Sequence, residues 1–98
     1  MVRKQLLSNG KVSATFELPA SIWADSIYLV GDFNEWNTRS LPMKQRRSDG
    51  VWEISLPLDA GREYQYRYLV NGTDWQNDSQ AERYIPNPYS SENSVIST

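Results

Sequence analysis

Two tryptophans stand where a large ring is out of keeping with its neighbours. Trp36 follows Asp32-Phe33-Asn34-Glu35 and precedes Asn37, and Trp75 is flanked by Asp74, Gln76, Asn77 and Asp78. An indole in such company either caps the end of a core or is offered for contact. The contact chemistry is specific. One face of a pyranose ring carries C–H groups only, and its rim carries hydroxyls. The flat, polarisable face of indole matches the first. Amide and guanidinium groups, with several directional hydrogen bonds each, match the second. Rings beside Asn, Gln and Arg therefore make a sugar-binding inventory. A proline-rich peptide or stacked bases would fit the same groups.

Composition narrows the choice. The 98 residues hold four Trp, six Tyr and two Phe, but no His and no Cys. That removes the commonest general base and metal ligand, and every thiolate site or disulfide. Twelve acidic against ten basic side chains give a net charge of −2, which argues against nucleic acid. Asp32 with Glu35, or Asp74 with Asp78, could form a glycosidase acid/base pair only in a cleft that raises one pKa. A chain of this length has little mass to build one, so no enzyme, cofactor or metal site is expected. Lys44-Gln45-Arg46-Arg47, the only basic cluster, reads as a solvated hairpin tip. No apolar run approaches a membrane span and no targeting signal is legible, so a cytoplasmic setting without membrane contact is expected.

The elements that must position the rings follow a two-residue period. Val12, Ala14, Phe16 and Leu18 alternate with Ser13, Thr15 and Glu17 between the Asn9-Gly10 turn and Pro19, the pattern of a half-buried strand. Ile27 to Val30, apolar on both faces, reads as a central strand ended by Gly31. Trp52, Ile54, Leu56 and Leu58 share a third strand after Ser48-Asp49-Gly50, with Trp52 in the core and Pro57 marking an edge. Trp23, in the connection after Pro19, fits either role. Tyr64, Tyr66, Tyr68 and Val70 face one way on a fourth strand while Gln65 and Arg67 face the other. Asn71-Gly72 is a strong hairpin signal, with a short strand expected around Asp74 to Gln76. Ser94 to Ser97 closes the set. The polar stretch from Asn77 to Asn93 reads as a long loop. Short strands with turn signals about every ten residues predict an all-β sandwich of two antiparallel sheets in one domain, residues 1–98. The loops carrying Trp36 and Trp75 are expected at one end of it.

Tyr28-Leu29-Val30-Gly31-Asp32-Phe33-Asn34-Glu35-Trp36 resembles the G-x-F-N-x-W segment of isoamylase N-terminal (early-set) domains. These carbohydrate-binding modules are attached to branching and debranching enzymes of the α-amylase superfamily. The glycogen-binding domain of the AMP-activated protein kinase β subunit is similar. The likeness continues through Gly50-Val51-Trp52-Glu53-Ile54, the run from Gly61 to Gly72, Trp75 and Asp78, covering about residues 12–97. It looks closest to small stand-alone bacterial members, on Pro86-Asn87-Pro88-Tyr89 and Glu92-Asn93-Ser94-Val95. The resemblance implies an immunoglobulin-like sandwich that binds α-1,4-glucan (glycogen, starch or maltooligosaccharide) without cleaving it. It implies that Trp36 and Trp75 form the sugar platform and that Arg67 and Asn93 hold sugar hydroxyls. A threonine of the family corresponds to Ser91, and a leucine inside the glucan turn to Tyr89. The alternative is an interaction domain that docks on an α-glucan-metabolising enzyme or another partner, its sugar site vestigial.

Overall fold

Alternation in the sequence becomes alternation in burial. In β2 (Lys11–Leu18) Val12, Ala14, Phe16 and Leu18 are buried, and the residues between them are half-exposed. In the computed structural model, which describes residues 2–88 and 91–98, β2 is an inner strand of a four-stranded sheet. The order there is β1 (Val2–Leu6), β2, β5 (Trp52–Asp59), β4 (Lys44–Gln45). β2 and β5 pair over the full run from Lys11↔Asp59 to Leu18↔Trp52, which sets Trp52, Ile54, Leu56 and Leu58 on the same face as the apolar side of β2. The second sheet is ordered β3 (Ile27–Gly31), β6 (Glu63–Val70), β9 (Glu92–Ser97), β8 (Arg83–Pro86), with β7 (Asp74–Gln76) also pairing β6. All pairings are antiparallel, and the two sheets form an immunoglobulin-like sandwich.

The core between the sheets is ring-rich. Phe16, Tyr66 and Tyr68 are fully buried. Phe16 meets Tyr66 edge-on at 5.1 Å between centroids, and Tyr66 meets Tyr68 edge-on at 5.8 Å. Such pairs add about 0.5–1.5 kcal/mol each beyond their buried area. Trp52 is buried, and its indole N–H donates to the Ile22 carbonyl. Around this core the turn chemistry is as the sequence demands. Asn71 and Gly72 both take positive φ (54° and 75°), and Thr73 N–H closes the turn on the Val70 carbonyl at 3.2 Å. Only the left-handed region provides this reversal, and Asn and Gly adopt it at least cost.

Four strands depart from expectation. β1 and β4 were illegible as strands, and the stretch from Asn77 to Asn93 is not one loop but contains β8, paired to β9 from Arg83↔Val95 to Pro86↔Glu92. β1 and β8 are edge strands whose side chains are mostly exposed, so neither has an apolar face to announce it. β3 is also an edge strand, not a central one. Its free side is closed by the segment before β4: Leu29 N–H donates to the Leu41 carbonyl, and Met43 N–H to the Ile27 carbonyl. That covering explains why an edge strand is apolar on both faces. In the basic cluster, Arg46 is ion-paired with Asp49, Glu53 and Glu17.

Candidate functional site

Trp36 is held by a short, heavily bonded turn. After β3 the chain makes one 3-10 turn, Asp32–Asn34, and then Glu35 and Trp36 both adopt positive φ (56° and 58°). For residues other than Gly this conformation costs roughly 1–2 kcal/mol each. It is held by Trp36 N–H to the Gly31 carbonyl at 2.9 Å and Asn37 N–H to the Asn34 carbonyl at 3.1 Å. Asn34 Oδ1 accepts from Gly31 N–H at 3.0 Å, and its amide donates to Asn37 and Ser40. Asp32 orients the ring itself: one carboxylate oxygen accepts the Trp36 indole N–H at 2.9 Å, the other the Gln65 N–H of β6 at 2.8 Å. Asp32 thus joins the ring to the sheet. Gly31 is required by close approach, since a Cβ there would lie 2.5 Å from the Gln65 carbonyl oxygen.

The remaining residues come from the outer face of the second sheet. Tyr64, Tyr66 and Tyr68 are buried towards the core, so Gln65, Arg67 and Leu69 project from the other side. β7 lays Trp75 beside Leu69, with Tyr28 of β3 on the far side of Leu69 in register. Trp75 is 42% exposed and Trp36 is half-buried. The turns leading to the two rings are at opposite ends of the β3–β6 pair, because Gly31 is level with Tyr66 and Ile27 with Val70. The expectation of a site at one end of the sandwich is therefore corrected. The rings line one cleft on the sheet face, because β7 folds back along β6 while the turn after Gly31 carries Trp36 to the same side.

What results is an open cleft of about 560 Å³ lined by Trp36, Thr38, Arg67, Trp75, Asn87, Pro88 and Asn93. Four of the six residues singled out from the sequence (Trp36, Trp75, Arg67 and Asn93) line it together. Ser91 does not. It is half-buried in the turn between β8 and β9, where its N–H donates to Asn87 Oδ1 and its carbonyl accepts the Asn87 N–H. Tyr89 lies outside the described residues. Asn93 is fixed at both ends, donating to Gln65 Oε1 at 3.0 Å and accepting from Asn87 Nδ2 at 3.2 Å. An amide has capacity beyond these two bonds. Arg67 Nε is buried with no hydrogen-bond partner among the described residues. Thr38, Asn87 and Pro88 are the lining residues not named as site residues from the sequence. Pro86-Asn87-Pro88-Tyr89 stood out as a motif, but the position of its Asn87 and Pro88 at the cleft depends on the β8–β9 pairing.

Of the carboxylates weighed as acid/base pairs, Asp32 and Asp78 have other work, while Glu35 is exposed. Both oxygens of Asp32 are occupied as described. Asp74 is exposed in the hairpin, whereas Asp78 is buried at 1% exposure. Asp78 accepts the Tyr66 hydroxyl at 2.9 Å, the Tyr68 hydroxyl at 3.5 Å and the Gln80 N–H at 2.9 Å, and its own N–H donates to Ser94 Oγ. Burial, with the Asp78 charge beside them, pushes both tyrosine hydroxyls well above their ordinary pKa. This network ties the segment following Trp75 to the core. No helix among the described residues is long and apolar enough to cross a membrane.

Comparison with known proteins places the chain in a family. Fifty-seven residues are 42% identical to the 1,4-alpha-glucan branching enzyme GlgB of Novosphingobium aromaticivorans, covering 55% of this chain and 8% of the relative. The enzyme of the same name from Mesorhizobium japonicum is 40% identical over 53 residues, 50% of this chain and 7% of the relative. That of Burkholderia cenocepacia is 46% identical over 50 residues, 47% of this chain and 7% of the relative. The chain thus spans less than a tenth of these relatives. The sequence pattern of carbohydrate-binding module 48 (isoamylase N-terminal domain) matches residues 15–90, which include β3, the turn bearing Trp36, β6 and β7. With most of its length accounted for in this way, the chain belongs to the carbohydrate-binding module 48 family.

Proposed function

We propose that this chain acts as one non-catalytic module that binds α-1,4-glucan, as glycogen, starch or maltooligosaccharide. The observation that carries the reading is the convergence of Trp36, Trp75, Arg67 and Asn93 on one open cleft. The indoles stack on the C–H faces of glucose units, a contact of the kind aromatic rings make with other flat or apolar faces. Arg67 donates to ring hydroxyls, and Asn93, preset by Gln65 and Asn87, both donates and accepts. The cleft is open and preformed, so little ordering accompanies binding. A cytoplasmic setting, where such glucans are stored, goes with it, as does a branching or debranching enzyme as neighbour.

The test is titration with maltoheptaose, followed by calorimetry and tryptophan fluorescence, beside retardation in a glycogen-containing native gel. The fluorescence arm uses a Trp23→Phe background, because Trp23 is 94% exposed and emits regardless of the cleft. Each ring is expected to contribute ~1–3 kcal/mol, by analogy with stacking on nucleobases. Trp36→Ala or Trp75→Ala then weakens binding roughly 5- to 150-fold. No response of the wild type at millimolar maltoheptaose refutes the glucan reading and leaves the docking role in its place.

A further inference from the structure

The outer face of the second sheet carries more than the first cleft. A second cavity of about 400 Å³ lies on the same sheet face, lined by Tyr28, Thr38, Arg39, Leu69 and Gly72. Thr38 lines both cavities, so the two are neighbours. The register links them: Tyr28, Leu69 and Trp75 stand opposite one another on β3, β6 and β7, an apolar row across three strands. Leu69 is nearly covered at 5% exposure, while Tyr28 is half-buried and Trp75 more open. Tyr28 and Trp75 are two strand spacings apart, ~10 Å. Gly72 leaves the far wall low, as nothing lies within 4 Å of where its Cβ would be.

Arg39 supplies the polar half. Its backbone N–H is bonded to Asn37 Oδ1 at 2.8 Å, but its guanidinium has no ion pair or hydrogen bond among the described residues. Arg3, Arg46, Arg62 and Arg83 are all paired with carboxylates. A ring, a hydroxyl and an uncommitted guanidinium therefore repeat, beside the first cleft, the chemistry of the first cleft.

We propose that this second cavity is an additional sugar subsite, in which Tyr28 stacks on and Arg39 donates to further glucose units of the same glucan chain. The inference rests on the glucan reading of the main cleft and adds chain-length selectivity to it. Short oligosaccharides occupy the Trp36–Trp75 cleft alone, and longer ones also cover Leu69 and reach Arg39.

The experiment compares maltotriose with maltoheptaose by calorimetry, on the wild type, Arg39→Ala, Tyr28→Ala and Tyr28→Phe, with thermal melts of each. Wild type is expected to bind maltoheptaose more tightly than maltotriose. Arg39→Ala is expected to weaken maltoheptaose roughly 5-fold or more and to leave maltotriose within about 2-fold. Tyr28→Phe retains the preference for the longer sugar and Tyr28→Ala loses it. Arg39→Ala is the decisive variant, since the Arg39 guanidinium makes no hydrogen bond or ion pair among the described residues. Equal wild-type affinity for the two sugars, or an Arg39→Ala effect of the same size on both, overturns this inference and leaves the main cleft standing. Binding of neither sugar by the wild type overturns both readings.

Discussion

Asp78→Ala tests whether a buried carboxylate organises the core beneath the cleft. Asp78 is 1% exposed, and the two tyrosines that donate to it, Tyr66 and Tyr68, are fully buried. At 2.9 Å the bond from Tyr66 has full strength, while that from Tyr68, at 3.5 Å, is at the limit of what counts. A hydrogen bond to a charged acceptor contributes about 1.5–3 kcal/mol, and each buried donor left without a partner costs ~1–3 kcal/mol. Removing the carboxylate forfeits the good bond, strands the Tyr66 hydroxyl and frees the Gln80 N–H. The expected loss is ~3–5 kcal/mol, most of it the cost of unpaired donors. At about 4–8 °C per kcal/mol for a domain of this size, the melting point falls by ~12 °C or more. Asp78→Asn keeps an acceptor and is expected to lose less. Urea unfolding of the wild type, Asp78→Ala, Tyr66→Phe and the double variant completes a cycle whose coupling is expected to be about 1.5 kcal/mol or more, since the partners are in direct contact. An Asp78→Ala loss below ~1 kcal/mol, or coupling below ~0.5 kcal/mol, refutes the reasoning.

Other outcomes follow from the same geometry. Gly31→Ala places a Cβ 2.5 Å from the Gln65 carbonyl oxygen. We expect a loss of about 1–3 kcal/mol from overpacking and a changed near-ultraviolet signal from Trp36, and a variant as stable as wild type would contradict the close approach. Trp52→Ala removes a buried ring and is expected to cost ~3–5 kcal/mol in chemical denaturation, with the 42%-exposed Trp75 costing measurably less; equal losses would show that core and cleft rings have been confused. The raised pKa of Tyr66 and Tyr68 makes the fold sensitive to alkali. Their contribution is fully present below the unfolded tyrosine value of about 10 and is lost as pH rises above it, at up to ~1.4 kcal/mol per pH unit for each ring. Urea midpoints between about pH 8 and 11, with Tyr66→Phe expected to flatten the decline, check the sign.

Much of this was legible because a half-buried strand writes its faces into its sequence. The period of two in β2, β5 and β6 placed Phe16, Trp52, Tyr66 and Tyr68 inwards and Arg67 and Gln65 outwards, as observed. Polar neighbours around Trp36 and Trp75 left capping of the core or contact open, and both rings line the cleft. β1 and β8 left no such mark. Their side chains mostly face solvent, so backbone pairing to β2 and β9 defines them, and such pairing leaves no mark in the side-chain pattern of the strand itself.

Tertiary structure alone decided where the cleft lies. Local sequence gave each turn its residues, Asn71-Gly72 and the run from Gly31 to Trp36, but not their relation across a sheet. Register did that: Tyr28, Leu69 and Trp75 are far apart in the chain and become one row because β3, β6 and β7 pair as they do. The same pairing of β8 with β9 brings Asn87 to Asn93. Asp78 shows the limit most plainly. Nothing local separates it from the other acidic residues, and carboxylates are ordinarily exposed. It is buried because the two tyrosines facing the core end in hydroxyls that need an acceptor there.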